Sequence, residues 1–100
     1  MRAERSSWAD LRAARMAEPG AEEEYAAARL AFELGAAVRS MREGLGWSQG
    51  RLADEAGMTQ PAVARFEAGG TVPTLVVLER LAKALGVGLS VRFTSTDTAA

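Results

Sequence analysis

The stretch that decides the fold is SQGRLADEAGMTQPAVARFEAG, residues 48–69. Ser48 and Thr59 each precede a helical pattern, and their hydroxyls can accept hydrogen bonds from the free N–H groups of a first helical turn. Gly57 lies between the two patterns, where glycine most easily adopts the left-handed conformation that ends a helix. The stretch therefore predicts two short helices joined by a tight turn.

Apolar residues at helical spacing indicate how the two helices pack. They are Leu52, Ala53, Ala56, Val63 and Phe66. The first helix has one buried stripe, and the second helix packs across it. This arrangement is a helix-turn-helix, whose second helix enters the DNA major groove with its N-terminal residues against the base edges. The residues expected to face outward at that end are Gln60, Pro61, Ala62 and Arg65.

The composition is typical of one soluble globular domain. The chain has 100 residues, of which 48% are hydrophobic and 25% are charged. It contains no cysteine and no histidine, which excludes disulfides, thiolate chemistry and imidazole ligands. We predict no enzymatic activity, no metal site, no cofactor and no small-molecule ligand. The consecutive acids Glu22, Glu23 and Glu24 are typical of a solvated helix start, where anions suit the helix dipole.

The start of the chain and its charge bear on location and partners. No apolar run follows the first residues, so we expect neither a secretory signal nor a membrane span, and a cytoplasmic location. The net charge of −1 argues against DNA binding. However, residues 1–34 carry five basic and seven acidic side chains, whereas residues 35–85 carry six and five. The acidity therefore belongs to the N-terminal third, and we expect modest DNA affinity that depends on dimerisation.

Two helices are predicted before the helix-turn-helix. A short amphipathic helix covers about residues 8–18 and is broken by Pro19 and Gly20, and a longer helix covers residues 21–43. Gly35, within the longer helix, either allows close packing or divides the helix in two. The apolar face predicted for the longer helix is Leu30, Leu34, Val38 and Met41, with Leu45 just beyond it.

A further helix and a strand are predicted after the helix-turn-helix. Thr74 caps a helix that Gly86 ends. Its inward residues are predicted to be Leu75, Leu78, Leu81, Ala82 and Leu85. Apolar residues then alternate strictly, as in a half-buried strand. A strand needs a hydrogen-bonding partner, and the most economical one is the same segment of a second copy. The alternative is a strand that lies along its own domain. The predicted dimerisation residues are Val87, Leu89, Val91 and Phe93.

Several short motifs match one family. They are LGWSQ (45–49), LA (52–53), AG (56–57), TQ (59–60), Val63, RFEAG (65–69), PTL (73–75) and LAKALGV (81–87). With these residues the chain resembles the XRE, or Cro/C1-type, helix-turn-helix family over about residues 35–86. The resemblance implies an all-α, five-helix, lambda-repressor-like domain with an N-terminal helical extension and a C-terminal dimerisation β-strand. The predicted division is an N-terminal arm (1–20), the DNA-binding domain (21–86), the strand (87–95) and a flexible tail (96–100).

The resemblance also implies roles for the exposed residues. Residues at the positions of Gln60, Pro61, Ala62 and Arg65 face bases in this family, and those at Gln49 and Thr59 hold phosphates. Glutamine can pair with adenine and arginine with guanine through two hydrogen bonds. Pro61 departs from the polar residue common there, but it can begin a helix and press a thymine methyl group. The alternative for Gln60 and Arg65 is an ordinary solvated helix face.

Other charged residues could support DNA binding or only the fold. Three arginines are near enough to reach phosphates, or could instead pair with Glu43, Asp54 or Glu55 on the surface. These arginines are Arg39, Arg42 and Arg51. Glu67 is predicted to be structural and to bond either to Arg51 or to backbone near the first helix.

The flanking segments resemble those of HigA-like antitoxins. This resemblance implies a homodimer that binds a palindromic double-stranded DNA operator, represses its own operon and neutralises a HigB/RelE-like toxin. The predicted toxin-binding residues are Trp8, Leu11, Arg12, Arg15 and Met16. Alternatively, Trp8 and Leu11 pack on the long helix near Tyr25 and Phe32. The alternative function is a free-standing XRE-type regulator with no toxin.

Overall fold

The computed structural model describes residues 10, 11, 14 and 18–96. Residues 18–96 contain four helices: α1 (Ala21–Gly44), α2 (Gln49–Ala56), α3 (Gln60–Glu67) and α4 (Leu75–Leu85). They confirm the four helices predicted from residue 21 onward. Asp10, Leu11 and Ala14 are helical, but the rest of the predicted 8–18 helix lies outside the described residues, so a fifth helix stays a prediction. No helix in the described part of the chain is long and apolar enough to cross a membrane.

Side-chain caps and a left-handed glycine set the helix ends. The Ser48 hydroxyl accepts from the backbone N–H of Arg51 at 3.0 Å, and the Thr59 hydroxyl accepts from that of Ala62 at 3.2 Å. Thr74 caps α4 in the same way. Gly57 has φ 69° and ends α2, a conformation that costs glycine least. The local signals of the sequence therefore place the turn between α2 and α3 correctly.

The core lies where α2, α3 and α4 meet α1. Helix α3 contacts both α1 and α2, and α4 packs mainly on α2. The most deeply buried side chains are Leu52, Val63 and Leu81. The buried core also includes Val38, Ala53, Ala56, Phe66 and Leu85, with Trp47 packed at its edge. Apolar burial thus holds the inner side of α3 and leaves its outer side exposed.

The buried face of α1 agrees only in part with the predicted one, since Val38 is buried and Leu34 and Met41 are partly buried against the core. Leu30 and Leu45 are 59% and 48% exposed, so the prediction was wrong for both. The residues that are buried are Ala31, Gly35, Val38 and Arg42. At Gly35 the backbones of α1 and α3 approach too closely for any larger side chain. Leu75 of α4 is also exposed, contrary to the prediction.

Gly35 allows this close approach. Helix α1 runs through it without interruption, so the glycine does not divide the helix. A Cβ atom at this position would lie 2.3 Å from the carbonyl oxygen of Phe66 and 2.8 Å from that of Glu67. The absent side chain is therefore what lets the end of α3 lie directly against α1.

The segment after α4 contains no strand among the residues that the structure describes. Gly86 ends the helix with φ 74°, and the N–H of Val87 donates to the carbonyl of Ala82 at 2.9 Å. Val87, Val91 and Phe93 are exposed, and Leu89 is half-buried. A strand that pairs with a second copy would not form in one chain alone, so the dimerisation strand stays a prediction. Residues 97–100 of the predicted tail lie outside the described residues.

Candidate DNA-binding surface

The outer side of α3 is formed by the residues predicted to contact bases. Gln60, Pro61 and Arg65 are exposed, and Ala62 is half-buried. On the opposite side of the helix, Val63 is fully buried and Phe66 is 4% exposed. The core residues therefore fix the helix while its N-terminal end stays accessible.

The first turn of α3 is suited to contact with a nucleic acid. Pro61 lies in that turn, where a missing backbone N–H costs nothing because no acceptor precedes it in the helix. The Thr59 hydroxyl accepts from the N–H of Ala62. Its own proton remains free to be donated, which is compatible with the predicted phosphate contact.

A buried ion pair lies behind this surface. The Arg42 Nε donates to the Glu67 Oε2 at 2.7 Å, and the Arg42 Nη2 donates to Oε1 at 3.0 Å. The Arg42 Nη1 also donates to the carbonyl of Trp47 at 2.7 Å. Arg42 is 8% exposed and Glu67 is 7% exposed. The prediction that Arg42 contacts phosphate was wrong, because its guanidinium is buried and bonded within the protein.

The ion pair also corrects the role predicted for Glu67. This carboxylate bonds to Arg42 and not to Arg51, although its predicted structural role is compatible with the pair. Burial alone would raise the pKa of Glu67, but hydrogen bonds from Arg42 and Gln49 and the charge of Arg42 hold that pKa below its ordinary value. The hydrogen bond to Glu67 raises the pKa of Arg42 despite its desolvation. Both groups are therefore charged at neutral pH.

Gln49 connects the ion pair to α3. Its Nε2 donates to the Glu67 Oε1 at 3.1 Å, and its Oε1 accepts from the Gln60 Nε2 at 2.8 Å. Gln49 is half-buried. One N–H of its amide is not needed for these two bonds, so the predicted phosphate contact stays possible. This link between Gln49, Gln60 and Glu67 is not predicted from the sequence.

The other predicted phosphate-binding arginines are exposed and paired. The Arg39 Nε lies 3.1 Å from the Glu43 Oε2, and the Arg51 Nε lies 3.2 Å from the Glu55 Oε2. The Arg51 guanidinium also lies 4.5 Å from the centroid of the Trp47 ring. Exposed ion pairs of this kind stabilise a protein by only about 0.2–1 kcal/mol. Each arginine can therefore leave its glutamate and bind a DNA phosphate at little cost.

Arg65 differs from these arginines. It is exposed on the same helix as Gln60, and no ion pair connects it to any residue in the described ranges. Its guanidinium is therefore free to contact a ligand. Of the residues predicted to bind a toxin, Leu11 is 52% exposed, and Trp8, Arg12, Arg15 and Met16 lie outside the described residues.

The fold and this surface together define a helix-turn-helix protein, the class that inserts its second helix into the DNA major groove. A family model described as helix-turn-helix matches residues 38–91, which is more than half of the chain. The chain therefore belongs to the XRE-type helix-turn-helix family of DNA-binding transcriptional regulators, which is not a family of enzymes. Searches of curated proteins and of solved structures found no match.

Proposed function

We propose that the protein is a dimeric repressor that recognises a specific palindromic operator and controls its own operon. The observation that carries this proposal is the outer side of α3, where Gln60 and Arg65 are exposed while Val63 and Phe66 anchor the helix. Two copies related by a two-fold axis would present two α3 ends to half-sites about 34–36 Å apart. Repression would follow because the bound dimer blocks access to the promoter.

The contacts divide into those that specify and those that position. Gln60 and Arg65 would hydrogen-bond to base edges, and Pro61 and Ala62 would pack against a thymine methyl group. The proposed phosphate contacts are made by Gln49, Thr59, Arg39 and Arg51. They would supply affinity without sequence preference, so binding should weaken steeply as the salt concentration rises.

The test is a gel-shift titration of the full chain with the DNA upstream of its own gene. Arg65→Ala should remove the preference for one base pair in each half-site, a discrimination of about 1–3 kcal/mol. Arg29→Ala is the matched control, because Arg29 is exposed on α1 and paired with Glu33. If Arg65→Ala kept every base preference of the unchanged protein, the proposed contact would be wrong.

We also propose that the N-terminal region neutralises a small basic toxin of the HigB/RelE type. Supporting this, the N-terminal half of α1 lies outside the matched residues 38–91. Its first turn carries three consecutive glutamates, and Leu30 and Phe32 are exposed further along. An acidic helix with exposed apolar side chains is suited to a basic protein partner. The proposed contacts of the preceding arm are Trp8, Leu11, Arg12, Arg15 and Met16.

Deletion of residues 1–20 tests this second proposal. We expect the shortened protein to lose toxin rescue in co-expressing cells and to keep operator binding. General unfolding would instead indicate that the arm packs on its own domain. If the unshortened chain gave no rescue and bound no protein encoded beside it, the free-standing regulator would be the better account.

A further inference from the structure

A row of hydrogen bonds runs from the interior of the protein to the exposed end of α3. From the geometry of this row we propose that Glu67, which lies out of reach of DNA, fixes the orientation of the Gln60 side-chain amide and so selects adenine as its base. The inference rests on the proposed function, in which Gln60 contacts a base. Glu67 and Gln49 would then be positioning residues for base recognition.

The row consists of three contacts between four side chains. Arg42 donates two hydrogen bonds to the Glu67 carboxylate, at 2.7 and 3.0 Å. The Gln49 Nε2 donates to the same carboxylate at 3.1 Å. The Gln60 Nε2 then donates to the Gln49 Oε1 at 2.8 Å. Exposure increases along the row, from a buried carboxylate to a half-buried amide and then to an exposed one.

The chemistry of the groups gives the row a direction. An ionised carboxylate only accepts hydrogen bonds, so Gln49 must turn its NH₂ group toward Glu67. Its oxygen then faces Gln60 and can only accept. Gln60 must therefore turn its own NH₂ group toward Gln49. Arg42 keeps the carboxylate ionised by neutralising its charge in a buried position, and thereby maintains this direction.

The consequence for Gln60 is a defined pattern of free groups. One N–H is used on Gln49, which leaves the Oε1 acceptor and the second N–H donor side by side on an exposed side chain. Adenine requires this pair in the major groove, because its N6 amino group donates and its N7 accepts. The reversed Gln60 amide would place two oxygens against each other at the contact with Gln49. The row therefore favours one of the two amide orientations before DNA is bound.

The competing explanation is that the Arg42–Glu67 pair only stabilises the fold. Glu67→Gln separates the two explanations, because the new amide has nearly the same shape but can donate as well as accept. An amide at position 67 therefore no longer forces Gln49, and through it Gln60, into one orientation. Gln49→Ala interrupts the row and leaves both hydrogen bonds between Arg42 and Glu67 in place, so it tests the row without breaking the ion pair.

The experiment selects bound sequences from a library of duplex DNA with a randomised core, using the full-length protein. Dissociation constants are then measured for duplexes that differ by one base pair. Gln60→Ala identifies the base pair that Gln60 contacts. At that pair we expect Glu67→Gln and Gln49→Ala each to reduce the preference for adenine by about tenfold, with no change at the pair that Arg65→Ala affects. Glu33→Gln, which alters an exposed glutamate on α1, is the matched control.

The outcomes distinguish the inference from the function on which it rests. Circular dichroism first verifies that each variant is folded, and if Glu67→Gln is not, Gln49→Ala carries the test. An equal loss of affinity for all duplexes, with the adenine preference intact, would overturn the inference alone. If Gln60→Ala changed the preference at no base pair, the proposed contact of Gln60 would fail, and the inference with it.

Discussion

The helix-turn-helix region and the segments that flank it differ in what their apolar side chains contact. Within residues 38–86, Leu52, Val63 and Leu81 are at most 1% exposed. In the flanks, Leu30, Phe32 and Phe93 are exposed. The central region therefore forms a core of its own, although Leu45 and Leu75 also lie at its surface, whereas the large apolar side chains of the flanks are mostly exposed. The largest fully buried side chains therefore lie in the centre, and the role of the flanks in assembly is a proposal that the following experiments test.

The largest expected difference in stability is between shortening a leucine of the centre and shortening a leucine of a flank. Leu52→Ala should lower the free energy of unfolding by about 2–5 kcal/mol, because it opens a cavity in a fully packed core. Leu30→Ala should change it by no more than about 0.5 kcal/mol, since the side chain is mostly solvated and alanine favours helices. Urea titrations followed by circular dichroism measure both. Equal losses would show that the N-terminal half of α1 is as integral to the core as α2.

The next effect concerns the contact between α1 and the end of α3. Gly35→Ala should lower the free energy of unfolding by about 1–3 kcal/mol, because the added Cβ meets backbone oxygens and cannot avoid them by rotation. Gly44→Ala is the control within the same helix, since no atom lies within 4 Å of its Cβ position. It should be neutral or stabilise by up to about 1 kcal/mol. A neutral Gly35→Ala would mean that α1 and α3 are not held this closely.

A smaller effect is expected from acid. The pKa of Glu67 in the folded protein lies below its ordinary value of 4.5. Its contribution to stability should therefore be complete above that value and be lost as the pH falls through the lowered pKa. Melting temperatures across acidic pH should fall less steeply for Glu67→Gln than for the unchanged protein.

The control for the acid experiment is Glu33→Gln, because the exposed pair between Glu33 and Arg29 contributes little. It should leave the acid response close to that of the unchanged protein. If Glu67→Gln gave the same acid response as the unchanged protein, the Arg42–Glu67 pair would not be the source of the pH dependence.

The sequence predicts the local features of this fold better than its contacts between distant residues. The caps at Ser48 and Thr59 and the turn at Gly57 follow from residue type and from their immediate neighbours, and all three are confirmed. For the buried face of α1 the periodicity gave Val38 correctly but not Ala31, Gly35 and Arg42. This face depends on how closely Gly35 lets two backbones approach, which helical periodicity does not encode.

The ion pair behind the candidate DNA-binding surface illustrates the same limit. Arg42 and Glu67 are 25 positions apart, and each alone resembles an ordinary surface charge. One signal was present, because Arg42 follows Val38 by four residues and so lies on the same side of the helix. Because this spacing places Arg42 on the buried side of α1, an acidic residue on the buried side of α3 would have been its expected partner. Glu67 is that residue. The outer residues of α3 were easier to predict, since they need only lie opposite Val63 and Phe66.

Phe93→Ser is expected to change the stability of the folded monomer least. It is also the most direct test of the role of the flanks. Phe93 is fully exposed in the single chain, so its loss should leave the unfolding of the monomer within about 0.5 kcal/mol of the original. In the proposed dimer the ring would be buried in both copies by symmetry. Sedimentation equilibrium should then show the dissociation constant of the dimer raised by about tenfold or more, since burying one such ring contributes about 1.5–3 kcal/mol.

Thr94→Ser is the control for Phe93→Ser, because Thr94 is the next residue and would lie on the other face of a strand. It should leave association unchanged. An unaltered dimer in Phe93→Ser would place the interface elsewhere. A loss of helix content in the monomer would instead show that the C-terminal segment packs on the central core. The contrast between the two regions therefore depends on Phe93. This side chain is solvated in a single chain, and the contrast requires that it stabilise the dimer.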